Sequence, residues 1–189
     1  MKKFTEFFLT GRQLDLALAE IGYNLHISEP FIKPANVAVP ETLEPLIKML
    51  TNTYDMGNEQ AKREAIVGPL LGIAAATQGN ARIQTETPVS TSEIGGTVDY
   101  WITGTRTVLV VEAKDQDIAR GLGQLCAELI ATTEQPDVNG PAYGAVTSGD
   151  RWRFATIDEA NKTIVAERDV YAVPIQLKEV FQRICAILY

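Results

Sequence analysis

The stretch from Gly95 to Glu128 constrains the fold most, because its hydrophobic period changes from two to helical within a short span. Alternation across a sheet from Gly96 to Thr103 puts Val98, Tyr100 and Ile102 on one face and Thr97, Asp99 and Trp101 on the other. Gly104-Thr105-Arg106 reads as a short turn into Thr107–Lys114, a dense apolar run ending in Glu112-Ala113-Lys114. A strong helix is expected over Asp117–Thr132, with Ile118, Leu122, Leu125, Leu129 and Ile130 as its core stripe. Glu112 and Lys114 are two residues apart, so a regular strand points both to the same face. With Asp99 opposite that end on the neighbouring strand, two carboxylates and one ammonium converge.

Such a cluster has a chemical use. A hard divalent cation prefers oxygen ligands and keeps several waters, and two carboxylates from adjacent strands suit it. A lysine beside them can position an attacking water and offset developing charge. The plainer alternative is a salt bridge from Lys114 to Glu112 or Asp99 at a strand end. Asp99 lies upstream on a strand expected to be adjacent, and a helix follows, so the context favours the chemical reading.

These residues resemble the PD-(D/E)XK nuclease superfamily, whose pattern is an acidic residue on one strand, E-x-K on the next, and a helix that often carries a glutamine. Asp99, Glu112 and Lys114 match the acid and the E-x-K, and Gln124 matches the helical glutamine. The pattern is closest in flavour to the nuclease domain at the amino end of the R subunits of type I restriction enzymes, and spans residues 57–158. Thr97-Val98-Asp99 lacks a proline before the aspartate. The resemblance implies a restriction-endonuclease-like α/β fold, an αβββαβ core with a mixed central sheet flanked by helices. It also implies Mg²⁺ or Mn²⁺ as cofactor, held by Asp99 and Glu112.

A further candidate ligand lies upstream. In the helix expected from Glu59 onwards, Glu59, Arg63, Ile66, Val67 and Leu70 share one arc, with Glu64 at its edge. Charges on a face that looks buried need an explanation. Glu59 resembles the superfamily's first-helix glutamate, which would bring it to the metal, with Glu64 in reserve. The alternative is an i,i+4 pair from Glu59 to Arg63 near the helix start. Gln124 can hydrogen-bond a phosphate or a metal-bound water, or simply face solvent, and Glu128 reads as a surface charge. Arg151-Trp152-Arg153-Phe154 alternates basic and aromatic residues. Its arginines either meet nucleic-acid phosphates or face water over an aromatic core.

The rest of the chain supports one domain, 1–189. Residues 1–56 form an amino-terminal helical extension, 57–158 the nuclease-like core, and 159–189 a closing strand and helix. Asn24–Val39, punctuated by Pro30 and Pro34 with Pro40 just after, reads as an irregular or extended connector. No run reaches the roughly 18 apolar residues a membrane span needs. The start lacks a signal-peptide pattern, so a cytoplasmic location without membrane contact is expected. Cys126 and Cys185 read as buried thiols, and one histidine leaves little for a zinc site. The net charge of −7 argues against tight, non-specific binding to long nucleic acid. The expectation is a Mg²⁺-dependent nuclease acting on nucleic acid, DNA foremost, as a homodimer or with a partner subunit. The alternative is a non-catalytic nucleic-acid- or protein-binding module of this fold, as in a restriction or defence system.

Overall fold

The computed structural model describes residues 1–189 apart from Arg106, Asp115, Gln116, Asp137 and Asn139; the turn expected at Arg106 and part of the 135–141 loop therefore lie outside the described residues. The elements run β1 (Lys2–Lys3), a 3₁₀ turn (Phe4–Phe7), α1 (Gly11–Glu20), β2 (Asn24–Ser28), α2 (Leu43–Thr53), α3 (Glu59–Lys62), a π-helical turn (Arg63–Val67) and α4 (Gly68–Gln78). Next come β3 (Arg82–Ser90), β4 (Ile94–Thr103), β5 (Val108–Ala113), α5 (Ile118–Thr133), β6 (Ala142–Thr147), β7 (Arg151–Asp158), β8 (Thr163–Glu167), β9 (Tyr171–Ala172) and α6 (Leu177–Leu188).

Among the described residues the strands make one mixed sheet in the order β1-β4-β5-β6-β7-β8-β2, with β3 on β4 and β9 on β7. β3, β4 and β5 pair antiparallel, whereas β6 runs parallel to β5. That difference follows from the connections: short turns join the antiparallel strands, and α5 is the crossover a parallel pair requires. One face of the sheet is covered by α2, α4 and α6, through Leu43, Ile47, Leu70, Phe181 and Ile184. The other is covered by α5 and the amino-terminal residues Phe4, Phe7, Leu14 and Leu18. The protein is therefore a mixed α/β fold with helices on both faces of a central sheet. No helix among the described residues is long and apolar enough to cross a membrane.

The structure amends three expectations. The amino-terminal region is not only helical: β2 lies within the expected connector and extends the sheet, pairing parallel to β8 from Asn24↔Thr163 to Ser28↔Glu167. β1 joins β4 at Lys2↔Ile94. Strict alternation along β4 also fails. Tyr100 and Ile102 pack with the α4–α6 side, whereas Val98 packs with Phe4 and Phe7 on the opposite side. The switch falls beside Asp99, across from Glu86, a non-glycine residue at φ 51° that gives the partner strand an irregular backbone at this point.

A buried ion pair ties the amino-terminal region to the far end of the chain. Glu167 is fully buried and accepts from the Phe31 and Ile32 N–H groups at 2.9 and 3.0 Å and from the Tyr171 hydroxyl at 2.8 Å. Arg183 of α6 pairs with it at 3.1 Å and also donates to the Ile32 carbonyl. Removing one partner strands the other charge in the core, so Arg183→Ala should lower the unfolding free energy by about 3–5 kcal/mol, measured by urea denaturation.

Candidate functional site

The site begins where a strand ladder stops. β4 and β5 are bonded from Thr103↔Val108 to Tyr100↔Val111 and no further. β3 occupies one edge of β4 along its length, so β1, which pairs with Ile94 and Gly95, takes the edge that β5 has left. Asp99 lies in the interval between. Its Oδ2 accepts the Ala113 N–H at 2.8 Å, replacing the backbone partner that β5 has lost. Beyond that point Lys114 N–H bonds to Thr147 O of the β6 strand.

Glu112 and Lys114 emerge on one face, as strand geometry requires, and form an ion pair. Glu112 is 1% exposed, and among the described residues its carboxylate meets the Lys114 ammonium and the carboxyl group of Glu128 but no backbone N–H or hydroxyl donor. The stem of Lys114 runs past α5 where a Cβ on Gly121 would come within 3.0 Å of its Cγ and 2.8 Å of Val146, so a glycine is needed for helix and lysine to pass. The Lys114 ammonium also lies 5.9 Å from the centre of the Phe8 ring.

From the opposite helical layer, Arg63 reaches Asp99 Oδ1 at 3.3 Å and Glu86 at 2.7 Å, with its guanidinium 5.2 Å from the Tyr100 ring centre. Arg63 opens the π-helical turn, whose Gly68 N–H bonds back to Arg63 O; such turns offset a helix face by one residue and recur at functional sites. Arg63 is therefore engaged with the strands on which the site is built. Glu59 begins α3, which Asn58 caps by accepting the Ala61 N–H at 2.8 Å. Its charge is near enough to help hold the proton on Lys114. Glu64, the reserve candidate, is exposed and accepts a hydrogen bond from Gln60 at 2.8 Å.

α5 supplies two polar residues to the same interior. Gln124 is buried rather than solvent-facing, and its Nε2 donates to Glu128 Oε1 at 2.9 Å. Glu128 is not a surface charge: it is 0% exposed, with its carboxyl group against that of Glu112 and its Oε2 otherwise without a partner among the described residues. A helix covered on one side by a sheet and on another by the amino-terminal turn has no wide solvent face. A hint existed in the sequence: Gly121 and Gly123 mark α5 as closely approached, and the Phe7 carbonyl would lie 2.2 Å from a Cβ on Gly123.

Burial dominates the electrostatics. It lifts Glu112 to about 7, with Asp99 adding to the rise while Glu128 and Lys114 oppose it. Glu128 lies well above the ordinary carboxylate range, first because it is desolvated and then because it faces Glu112. Two carboxyl groups in contact resist ionising together, so the pair titrates as a unit. Burial also raises Asp99 against the pull of the Ala113 N–H, Arg63 and Lys114. Burial opposes the charge on Lys114, but Glu112, Asp99 and Glu59 outweigh it and keep the ammonium protonated above the usual lysine range.

Arg151 and Arg153 begin β7, with Trp152 and Phe154 fully buried on the other face. Arg151 is exposed. Arg153 is partly buried and donates to the Glu167 carbonyl at 2.6 Å. Together with the start of α5 they line a cleft of about 480 Å³.

Among the described residues no three His, Cys, Asp or Glu side chains form a group that could hold a metal ion. Asp99 and Glu112 are two oxygen donors, and the donor-poor oxygens of Glu112 fit a hard cation, for which two carboxylates, waters and a phosphate suffice. No known family profile matches the chain, and no curated protein matches it in sequence.

A raised carboxyl pKa has a defined sign in stability. The unfolded chain releases the Glu112 proton near 4.5 and the folded protein near 7, so its contribution is complete below pH 4.5 and is lost as pH rises to about 7. Thermal unfolding of the metal-free protein between pH 4.5 and 7.5 should show this decline, and Glu112→Gln should flatten it.

Proposed function

We propose that this protein is a divalent-metal-dependent phosphodiesterase acting on nucleic acid, DNA foremost, of the PD-(D/E)XK type. The observation that carries the reading is the convergence of Asp99, Glu112 and Lys114 where β4 and β5 part, with the oxygens of Glu112 buried and poor in donors. The order helix, three strands, helix, strand from α4 to β6 supports a restriction-endonuclease-like αβββαβ core.

In this reading Asp99 and Glu112 would hold Mg²⁺ or Mn²⁺, with Glu59 completing the set from α3. The ion would supply Lewis acidity at the scissile phosphate and to the attacking water. Lys114 keeps its ammonium, so it donates hydrogen bonds: it orients the attacking water and offsets charge on the phosphorane-like transition state. Its position over Phe8 and against Gly121 limits its rotamers, which lowers the cost of aiming it. Arg63 contacts one oxygen of Asp99, which a cation held there would have to share. A cytoplasmic location, with a second copy or partner subunit, belongs to the same proposal. Arg151 and Arg153 are its candidates for contacting phosphate.

A second reading has support from the same pair. Arg63 engages one oxygen of Asp99 and Ala113 N–H the other, and the chain carries a net charge of −7. Both features suit a non-catalytic binding module of the fold.

Calorimetric titration with Mn²⁺ separates the two. The nuclease reading expects binding by the wild type and its loss in Asp99→Ala. Lys114→Ala should cut cleavage of plasmid or oligonucleotide substrates by about 10²–10³-fold with an unchanged circular dichroism spectrum. Absence of both metal binding and cleavage in the wild type would leave the binding module as the better account.

A further inference from the structure

The start of β7 carries positive charge that nothing nearby matches. Arg151 and Arg153 share one face of the strand and line the cleft of about 480 Å³. Apart from Asp117, the rest of its lining is apolar, from Ile118, Ala119, Val170 and Ala172. Asp117 is already engaged, accepting the Arg120 N–H at 3.0 Å and lying 3.5 Å from the Arg120 guanidinium. Asp15 borders a second recess beside Arg153 but is exposed. Among the described residues neither Arg151 nor Arg153 forms an ion pair. Arg153 uses only its Nε, on the Glu167 carbonyl at 2.6 Å, and its two terminal amino groups make no hydrogen bond. Burial lowers its pKa from the ordinary arginine value, the direction expected of a cation that no carboxylate offsets.

The register relates this cleft to the acidic site. Glu112 lies opposite Val146, and Val146 opposite Arg153, so the three form one row across β5, β6 and β7. Residues in one row point to the same face, and two strand spacings put the Arg153 backbone about 10 Å from that of Glu112. That is roughly three nucleotides of rise along one strand of a duplex. A guanidinium held by its Nε, with both amino groups left over, suits a pair of bonds to phosphate oxygens. Apolar walls strengthen the field that such a cleft presents to an anion.

We infer that the Arg151–Arg153 cleft is a phosphate subsite, which holds a non-reacting phosphodiester of the nucleic-acid strand while the scissile one lies beside Asp99 and Glu112. This rests on the nucleic-acid reading above and gives its binding energy a location. It also reconciles nucleic-acid binding with a net charge of −7: one or two phosphates enter a cleft, and no broad basic surface follows the backbone.

The test is fluorescence anisotropy with a short labelled DNA duplex, free of divalent metal, between about 50 and 200 mM salt. The full-length proteins are the wild type, Arg151→Gln, Arg153→Gln and Arg153→Lys, with circular dichroism to verify folding. Mn²⁺-dependent cleavage of the same duplex by the wild type is followed in parallel. Each glutamine variant should bind about tenfold more weakly. Each should also reduce the slope of log affinity against log salt by about 0.9. Arg153→Lys keeps the charge and should retain the wild-type slope. Wild-type affinity and slope in both glutamine variants would overturn the subsite, and cleavage by the wild type would then leave the nuclease reading standing. Equal losses in Arg153→Gln and Arg153→Lys, with Arg151→Gln like the wild type, would reduce Arg153 to a tie on the Glu167 carbonyl and overturn it as well. The expected losses in a protein that binds the duplex but does not cleave it would keep the subsite and reject the nuclease reading. A wild type that neither binds nor cleaves would remove both, and one that cleaves without measurable binding would remove the subsite alone.

Discussion

The site depends on a backbone hydrogen bond that the sheet cannot supply. Where β5 leaves β4, the Ala113 N–H would be stranded in a partly buried place, and the Asp99 carboxylate takes it. This one contact fixes an acidic side chain at the point of divergence, while β1 resumes pairing with β4 further back. It allows two strands to part without losing order, and so gathers charged side chains at one point of a continuous sheet. The rest is arranged around that point: Lys114 pairs with Glu112, Arg63 reaches Asp99 from the α4 side, and Gln124 bonds to Glu128 on α5.

Much of this was legible from local periodicity. The period-two pattern of β5 put Glu112 and Lys114 on one face, and they meet there. The apolar stripe of α5 and the switch from strand to helix gave the order of elements around the site. What escaped was decided by non-local packing. Glu128 looked like a surface charge because a charged residue on an amphipathic helix usually faces water. α5, however, is enclosed by the sheet and by Phe7 and Leu14. Val98 was assigned to the face of Tyr100 because alternation was extended through Asp99, and the irregular backbone at Glu86 shifts it. β2 was read within a connector because Asn24–Ser28 is short and mostly polar and lies close to Pro30 and Pro34. Its strand character comes from β8 beside it.

Polar burial is handled in two contrasting ways within the one sheet. Glu167 has donors at both oxygens, from two backbone N–H groups, a tyrosine hydroxyl and Arg183. Such a carboxylate is saturated and holds architecture together. Glu112 is as deeply buried, but its partners are one ammonium and a second carboxyl group rather than a set of N–H and hydroxyl donors. Its burial is therefore offset by charge pairing more than by hydrogen bonds. The difference between these two glutamates lies in their partners and is invisible in the residue type.

The pairing of β2 with β8 also bears on how the chain reaches this state. Phe31 and Glu167 are separated by 136 residues, yet the Phe31 N–H and the Glu167 carboxylate share a bond, and neighbouring strands pair in the same region. Contacts this distant in sequence carry a large loop-closure cost and slow the search for the native arrangement. On the ribosome, residues 24–32 are made long before β8 and α6 exist, and must wait with a strand edge unpaired. This segment of the sheet is thus synthesised well before the strand and helix it docks against.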